Sequence, residues 1–184
     1  MFEAAVAACS VLSNFMFHEK LIGRVQSNWP DKGLARPMDV ILIGTGAPIP
    51  DPNRAGPSTP VKTGDTHILV EAGRGVVMPM AAAGSLPGLP SGALIAHLYS
   101  DHVCALNDVV TADWIRTREQ KARQIYGPTG TVRFIERQIH ALEEDIGYHI
   151  EHHDALTEGP QVEATELQPG NVFRIGDDLT TITV

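Results

Sequence analysis

A four-residue apolar run, Ala93-Leu94-Ile95-Ala96, passes directly into His97-Leu98-Tyr99-Ser100-Asp101-His102. A run this short, apolar throughout and ended by polar residues, predicts a buried strand. Two imidazoles and a carboxylate therefore leave one strand end together. Nitrogen and oxygen donors grouped in this way are of the kind that holds zinc or a similar divalent ion.

The segments around this strand set the fold class as α/β. From Met38 onward short β runs alternate with helical stretches, the pattern of helices packed on a sheet. Val40–Ile43 reads as a strand before Gly44-Thr45-Gly46, and Ala47 to Pro60 as a proline- and glycine-rich loop. His67–Val70 is a second strand, leading into Gly73-Arg74-Gly75. Val76 to Ala83 has helical character but contains Pro79, which predicts a short or kinked helix. Val103–Arg118 reads as one helix and Gln124–Tyr126 as a strand turned by Gly127-Pro128. Val132, Ile135, Ile139 and Leu142 recur at helical spacing. Val162–Thr165 alternates as a strand, and Val172–Ile175 with Leu179–Val184 flanks Gly176-Asp177-Asp178 as a hairpin. Residues 1–37 read as an amino-terminal extension, with Val11, Phe15, Ile22 and Val25 on one helical face, and residues 38–184 as the domain.

The 184 residues suffice for one domain with a real core. A formal net charge of -8 argues against a broad nucleic-acid footprint. It leaves room for a local basic cleft, and Arg116, Arg118, Lys121 and Arg123 form either a phosphate-contacting rim or a solvated helix end. No apolar stretch is long enough to span a bilayer, so no membrane partner is expected. Met1-Phe2-Glu3-Ala4-Ala5 lacks the basic start of a secretory signal, and Cys9 and Cys104 have no metal-type or disulfide-framework spacing. A reducing, cytoplasmic setting is the expectation. Gly44 and Gly46 form only a lone Gly-x-Gly, too weak a signal for a nucleotide loop.

Taken together, the motifs resemble a known family. His97 to His102 is similar to the histidine-rich metal motif of the metallo-β-lactamase superfamily, with Tyr99 where that motif has histidine. Gly44-Thr45-Gly46-Ala47-Pro48 resembles the first strand and loop of its ribonuclease Z-like members. Asp51 to Thr59 resembles a loop of bacterial ribonuclease Z-like and arylsulfatase-like hydrolases. Glu71-Ala72-Gly73-Arg74-Gly75 is similar to their Asp-x-Gly-Arg-Gly segment, with Glu71 replacing aspartate. Tyr126-Gly127-Pro128 and Asp145-Ile146-Gly147-Tyr148 fit as well, so the resemblance runs from Met38 to Val184.

The resemblance implies an αββα sandwich, of which this chain carries the amino-terminal half behind an extra helix. It implies metal-dependent hydrolysis, with up to two zinc ions sharing a water whose pKa they lower. His97 would hold the first ion, Asp101 and His102 the second, and Asp101 would be catalytic. Tyr99 is the degenerate ligand position, because a phenol must ionise to bind well. At most one tightly held ion is therefore expected. Asp108 is a candidate to orient a ligating histidine. His149, His152 and His153 are weaker candidates for metal contact, and Cys104 reads as a small packed residue. RNA is the substrate the resemblance implies; small esters, lactones or sulfates are the alternative, and a non-catalytic fragment or pseudoenzyme is the third reading. The run Thr180–Val184 ends the chain with no turn after it. It is expected to leave an open sheet edge and so to promote self-association.

Overall fold

The structure, a computed structural model, describes residues 24–25, 38–63, 66–83, 91–118, 121–175 and 180–183, the first and last of these groups by backbone alone. Strands β1 (Arg24–Val25), β2 (Met38–Ile41), β3 (Thr59–Thr63) and β4 (Thr66–Val70) are antiparallel neighbours. Strands β5 (Gly92–Leu94), β6 (Arg123–Gly127) and β7 (Val162–Glu166) continue the same sheet in parallel from β4. The seven strands lie in sequence order.

Parallel neighbours need long crossovers, and these carry the helices. Helix α1 (Val77–Ala82) joins β4 to β5. Helices α2 (Ser100–Val103) and α3 (Leu106–Thr117) join β5 to β6, and α4 (Thr131–His140) and α5 (Glu143–His152) join β6 to β7. Strands β8 (Val172–Ile175) and β9 (Thr180–Thr183) form a separate antiparallel hairpin.

Leu69, Ala93 and Ile125 point from the sheet into the helical layer, where they meet Met80, Val103, Leu106, Val110 and Ile135. On the opposite face Val61, Ile68 and Tyr126 form a second cluster with Ile175 of β8. Phe173 stacks on Tyr126 at 4.3 Å between ring centroids. Gly92 lies under this hairpin: a Cβ there would sit 3.4 Å from Ile175 Cγ2 and 2.8 Å from the Gln124 carbonyl oxygen. Each face of the sheet thus has its own apolar layer, and burying the apolar residues of both is the main stabilising term.

The α/β class expected from the sequence is what the chain forms, and the runs at Val40, His67, Ala93, Gln124 and Val162 are all strands. Other elements differ from expectation. Strand β3 overlaps at Thr59 and Pro60 the segment Ala47 to Pro60, read as a proline- and glycine-rich loop. Pro60 is tolerated since the β2 register ends at Val40↔Val61, so no donor is required of it on that side. Pro79 is the third residue of α1, where a backbone N–H has no partner within the helix in any case, so the helix is short rather than broken. The single helix read over Val103–Arg118 is two: Ala105 N–H turns aside to the Ala72 carbonyl at 3.1 Å. Helix α5 was not anticipated. It buries no residue, but its first turn holds Glu143, Glu144 and Asp145 and its last turn His149 and His152. Those charges oppose the helix dipole favourably. The helix read from Val11 to Val25 lies outside the described residues except at its end, where Val25 belongs to β1 and pairs with Val40.

Candidate functional site

Glu71, His97, Asp101 and His102 meet at the carboxyl ends of β4 and β5. Parallel strands commonly present functional groups at this end, where the chain turns out of the sheet. Glu71 follows β4 directly. It has φ of +64°, a left-handed conformation uncommon for a residue with a long side chain. Its N–H donates to the Leu94 carbonyl at 2.9 Å, and its Oε1 accepts the Ala96 N–H at 2.9 Å. Glu71 therefore ties the ends of both strands together.

Helix α2 is held against this turn through the backbone. Ala72 N–H donates to the His102 carbonyl at 2.8 Å, and Ala105 returns the bond to Ala72. Gly73 N–H donates to the Pro57 carbonyl at 3.0 Å and also meets Ser58 Oγ at 3.1 Å. A Cβ on Gly73 would lie 2.5 Å from the Asp101 carbonyl oxygen, and one on Gly56 would lie 2.8 Å from it. Only glycine permits three backbone segments to approach this closely. Ser58 is buried and spends its hydroxyl on this packing.

The sequence candidates His97, Asp101 and His102 are brought together. The His97 and His102 rings are 4.0 Å apart between centroids. His102 Nε2 is 3.6 Å from Asp101 Oδ2, and its Nδ1 is 3.3 Å from Glu71 Oε2. Asp101 is buried at 3% exposure and Glu71 at 2%. Burial pushes the Glu71 carboxyl up to about 7, against the Ala96 hydrogen bond and with the help of the Asp101 charge. Burial also lowers the His102 pKa, reinforced by His97 and opposed by Asp101. Both directions favour a neutral pair, with one proton between Glu71 Oε2 and His102 Nδ1. Sequence reasoning noted Glu71 only as a replacement for aspartate; its part in the site was legible in the Glu-Ala-Gly-Arg-Gly segment that follows the strand.

Tyr99 is turned outward at 70% exposure and lies against His97, with centroids 4.6 Å apart. Its backbone N–H approaches His97 Nδ1 at 3.4 Å. Asp108 is exposed in the first turn of α3 and is not among the partners seen for His97 or His102. Cys104 is exposed rather than packed. Of the basic cluster, Arg116, Arg118 and Lys121 are exposed, whereas Arg123 is committed to the buried Asp113.

A zinc site needs three or more donors converging on one point. Among the described residues no three His, Cys, Asp or Glu side chains are so disposed. Glu71 Oε2 and His102 Nδ1 are buried without a conventional hydrogen bond, but they face each other. The donor types suit zinc; their arrangement does not fit the two-ion centre that the motif implies.

No family model matches the chain. Curated relatives do. It is 45% identical over 134 residues to a ribonuclease Z of Mycobacterium sp. (strain KMS), covering 72% of this chain and 47% of that protein. It is 43% identical over 149 residues to a ribonuclease Z of Mycolicibacterium gilvum, covering 80% and 51%. The chain thus spans about half the length of these relatives. Among solved structures it is similar to the metallo-β-lactamase fold protein YhfI from Bacillus subtilis, with TM-score 0.53, 20% identity, and coverage of 76% of this chain and 50% of that one. Human tRNase Z, short form, gives 0.51, 22%, 69% and 44%. The sheet with helices on one face is the metallo-β-lactamase fold in part. The chain belongs to the metallo-β-lactamase superfamily, in its ribonuclease Z-like branch.

Proposed function

We propose that this chain carries the amino-terminal part of a ribonuclease Z-like hydrolase whose metal site is impaired. The observation that carries the reading is the junction of His97, Asp101 and His102 at one strand end, in a chain 45% identical to a ribonuclease Z over most of its length. The substrate class is RNA, with cleavage of a phosphodiester at a 3′ end. Exposed Arg116, Arg118 and Lys121 supply charge for phosphates.

His97, Asp101 and His102 are the residues that would hold zinc, at most one ion tightly, and Asp101 is the catalytic carboxylate. With Tyr99 turned to solvent and His102 engaged by Glu71, turnover by this chain is near background. Residues 38–184 carry the domain. The extension 1–37 lends β1 to the sheet edge. The setting is cytoplasmic; among the described residues no helix is long and apolar enough to cross a membrane. Self-association is part of the same reading, since among the described residues β8 and β9 pair only with each other and leave strand edges open.

Incubation with a 3′-extended tRNA precursor and added zinc tests the proposal, with Asp101→Ala as control. Background processing by both proteins is expected. Robust zinc-dependent cleavage lost in Asp101→Ala would show the site to be intact. A small ester, lactone or sulfate turned over in preference to RNA would favour the alternative substrate class. Light scattering tests assembly, and a monodisperse monomer at high concentration would remove self-association from the account.

A further inference from the structure

Large apolar side chains left in water gather at one end of the sheet. Ile49, Met78, Tyr99 and Val132 are exposed, and they stand in the segments that follow β2, β4, β5 and β6. These four strands run in one direction, so all four residues lie at the carboxyl end that carries His97, Asp101 and His102. Tyr99 is the aromatic one, and it adjoins the cluster. Its ring leans on His97 with centroids 4.6 Å apart and planes tilted by 54°, and the rest of it is in water. Its backbone is fixed. It is extended, with φ -68° and ψ 142°, and its carbonyl accepts the His102 N–H at 2.9 Å as α2 begins. Two side-chain torsions then set the ring, so ordering it on a ligand costs little entropy. Arg74 stands at the same end, directly after Gly73, which packs against the Asp101 carbonyl. It is exposed, and its Nη1 donates to the Pro48 carbonyl at 3.4 Å, one of five guanidinium donors. Asp51, an acidic residue of the same loop, faces Arg54 at 3.8 Å.

We infer that Tyr99 is a stacking platform for an unpaired base of the RNA, with Arg74 taking up backbone phosphate beside it. The inference rests on the RNA reading above and names the residue that holds the strand. Proteins bind single-stranded RNA with aromatic faces under the bases and cations along the backbone. Tyr99 supplies the first and Arg74 the second. A tyrosine kept for packing belongs in the core, as Tyr126 does at 8% exposure; Tyr99 stays outside it at 70%. The unpaired 3′ extension is the part of a precursor whose bases have an open face, whereas bases within a duplex are already stacked. Every base has a π-face, so this contact selects unpaired over paired RNA rather than one base over another. The replacement that removes a histidine from the metal motif therefore leaves a chain able to hold an RNA end without cutting it.

Fluorescence anisotropy of a labelled, short single-stranded RNA on the metal-stripped full chain tests the inference, with an abasic strand of equal length for comparison. The unmodified chain should bind the intact strand more tightly. Tyr99→Ala should weaken that binding about 5- to 150-fold, the scale of one base–aromatic stack, and should leave binding of the abasic strand unchanged. Tyr99→Phe keeps the π-face and should bind as the unmodified chain does. Arg74→Gln should weaken both strands alike and lower the slope of log affinity against log salt by about 0.7. Intact RNA bound equally well with and without Tyr99→Ala would overturn the inference and leave the RNA reading standing. An equal loss on both strands would overturn it too, since it would make Tyr99 a structural residue. An unmodified chain that binds neither strand would remove the RNA reading itself, and the platform with it.

Discussion

Replacing Glu71 by glutamine should make the protein more stable at neutral and alkaline pH, and by an amount that changes with pH. A carboxyl whose pKa rises on folding holds its proton more tightly in the native state. Its burial costs nothing below the unfolded value of 4.5, and the cost grows as pH climbs through the folded value of about 7. The difference between these values corresponds to about 3 kcal/mol, fully present above pH 7. Glutamine keeps the contacts: its amide oxygen accepts the Ala96 N–H, and its NH2 donates to His102 Nδ1. The amide thus gives the buried His102 Nδ1 a donor and carries no charge at any pH. His102 acts in the opposite sense. Its lowered pKa costs stability as pH falls below its ordinary 6.5, but this largely cancels when the two proteins are compared. Urea unfolding of metal-stripped wild type and Glu71→Gln from pH 4.5 to 8 is the assay. The stability of the variant relative to wild type should rise across this range and level off above pH 7. A difference that stays flat would mean that Glu71 is not protonated in the folded chain, and the neutral Glu71–His102 pair would have to be abandoned.

Two further substitutions probe the frame of the site. Arg123→Leu removes the ion-pair partner of the Asp113 carboxylate, which is 3% exposed. Removing one partner of a buried pair costs about 3–5 kcal/mol, to be read from the denaturation midpoint. Gly73→Ala puts a Cβ within 2.5 Å of the Asp101 carbonyl oxygen and of Gly56. Overpacking against backbone that cannot yield should cost at least about 1–3 kcal/mol and shift the His97 and His102 imidazole NMR resonances. A variant as stable as wild type with unchanged resonances would show that the three segments do not meet as described.

Much of the fold could be read from local pattern: Ala93–Ala96 is apolar throughout, Val162–Thr165 alternates, and Gln124–Tyr126 is ended by Gly127-Pro128. The elements that escaped were decided by tertiary context. Pro60 disqualifies β3 by local rules, yet it falls beyond the β2 register, where its missing N–H is not needed. Helix α5 has no buried face to give it an apolar period; its signal is the placement of charge at its ends. The break between α2 and α3 follows from one hydrogen bond to Ala72, contributed from thirty-odd residues earlier in the chain. In the site, His97, Asp101 and His102 could be chosen from their spacing. That spacing does not show Glu71, because a residue brought in from the end of another strand becomes a neighbour only through β4–β5 pairing. It also could not show that Tyr99 turns away from the cluster.

Zinc content tests the central claim most directly, namely that the strand-end cluster has the donors of a two-ion site without its geometry. The purified chain, its mass verified, is loaded with zinc, dialysed until weakly held ions are released, and analysed for metal. At most one zinc per chain is expected, lost in Asp101→Ala and not raised to two by Tyr99→His. Two stoichiometric zinc ions retained by the unmodified chain would contradict the account.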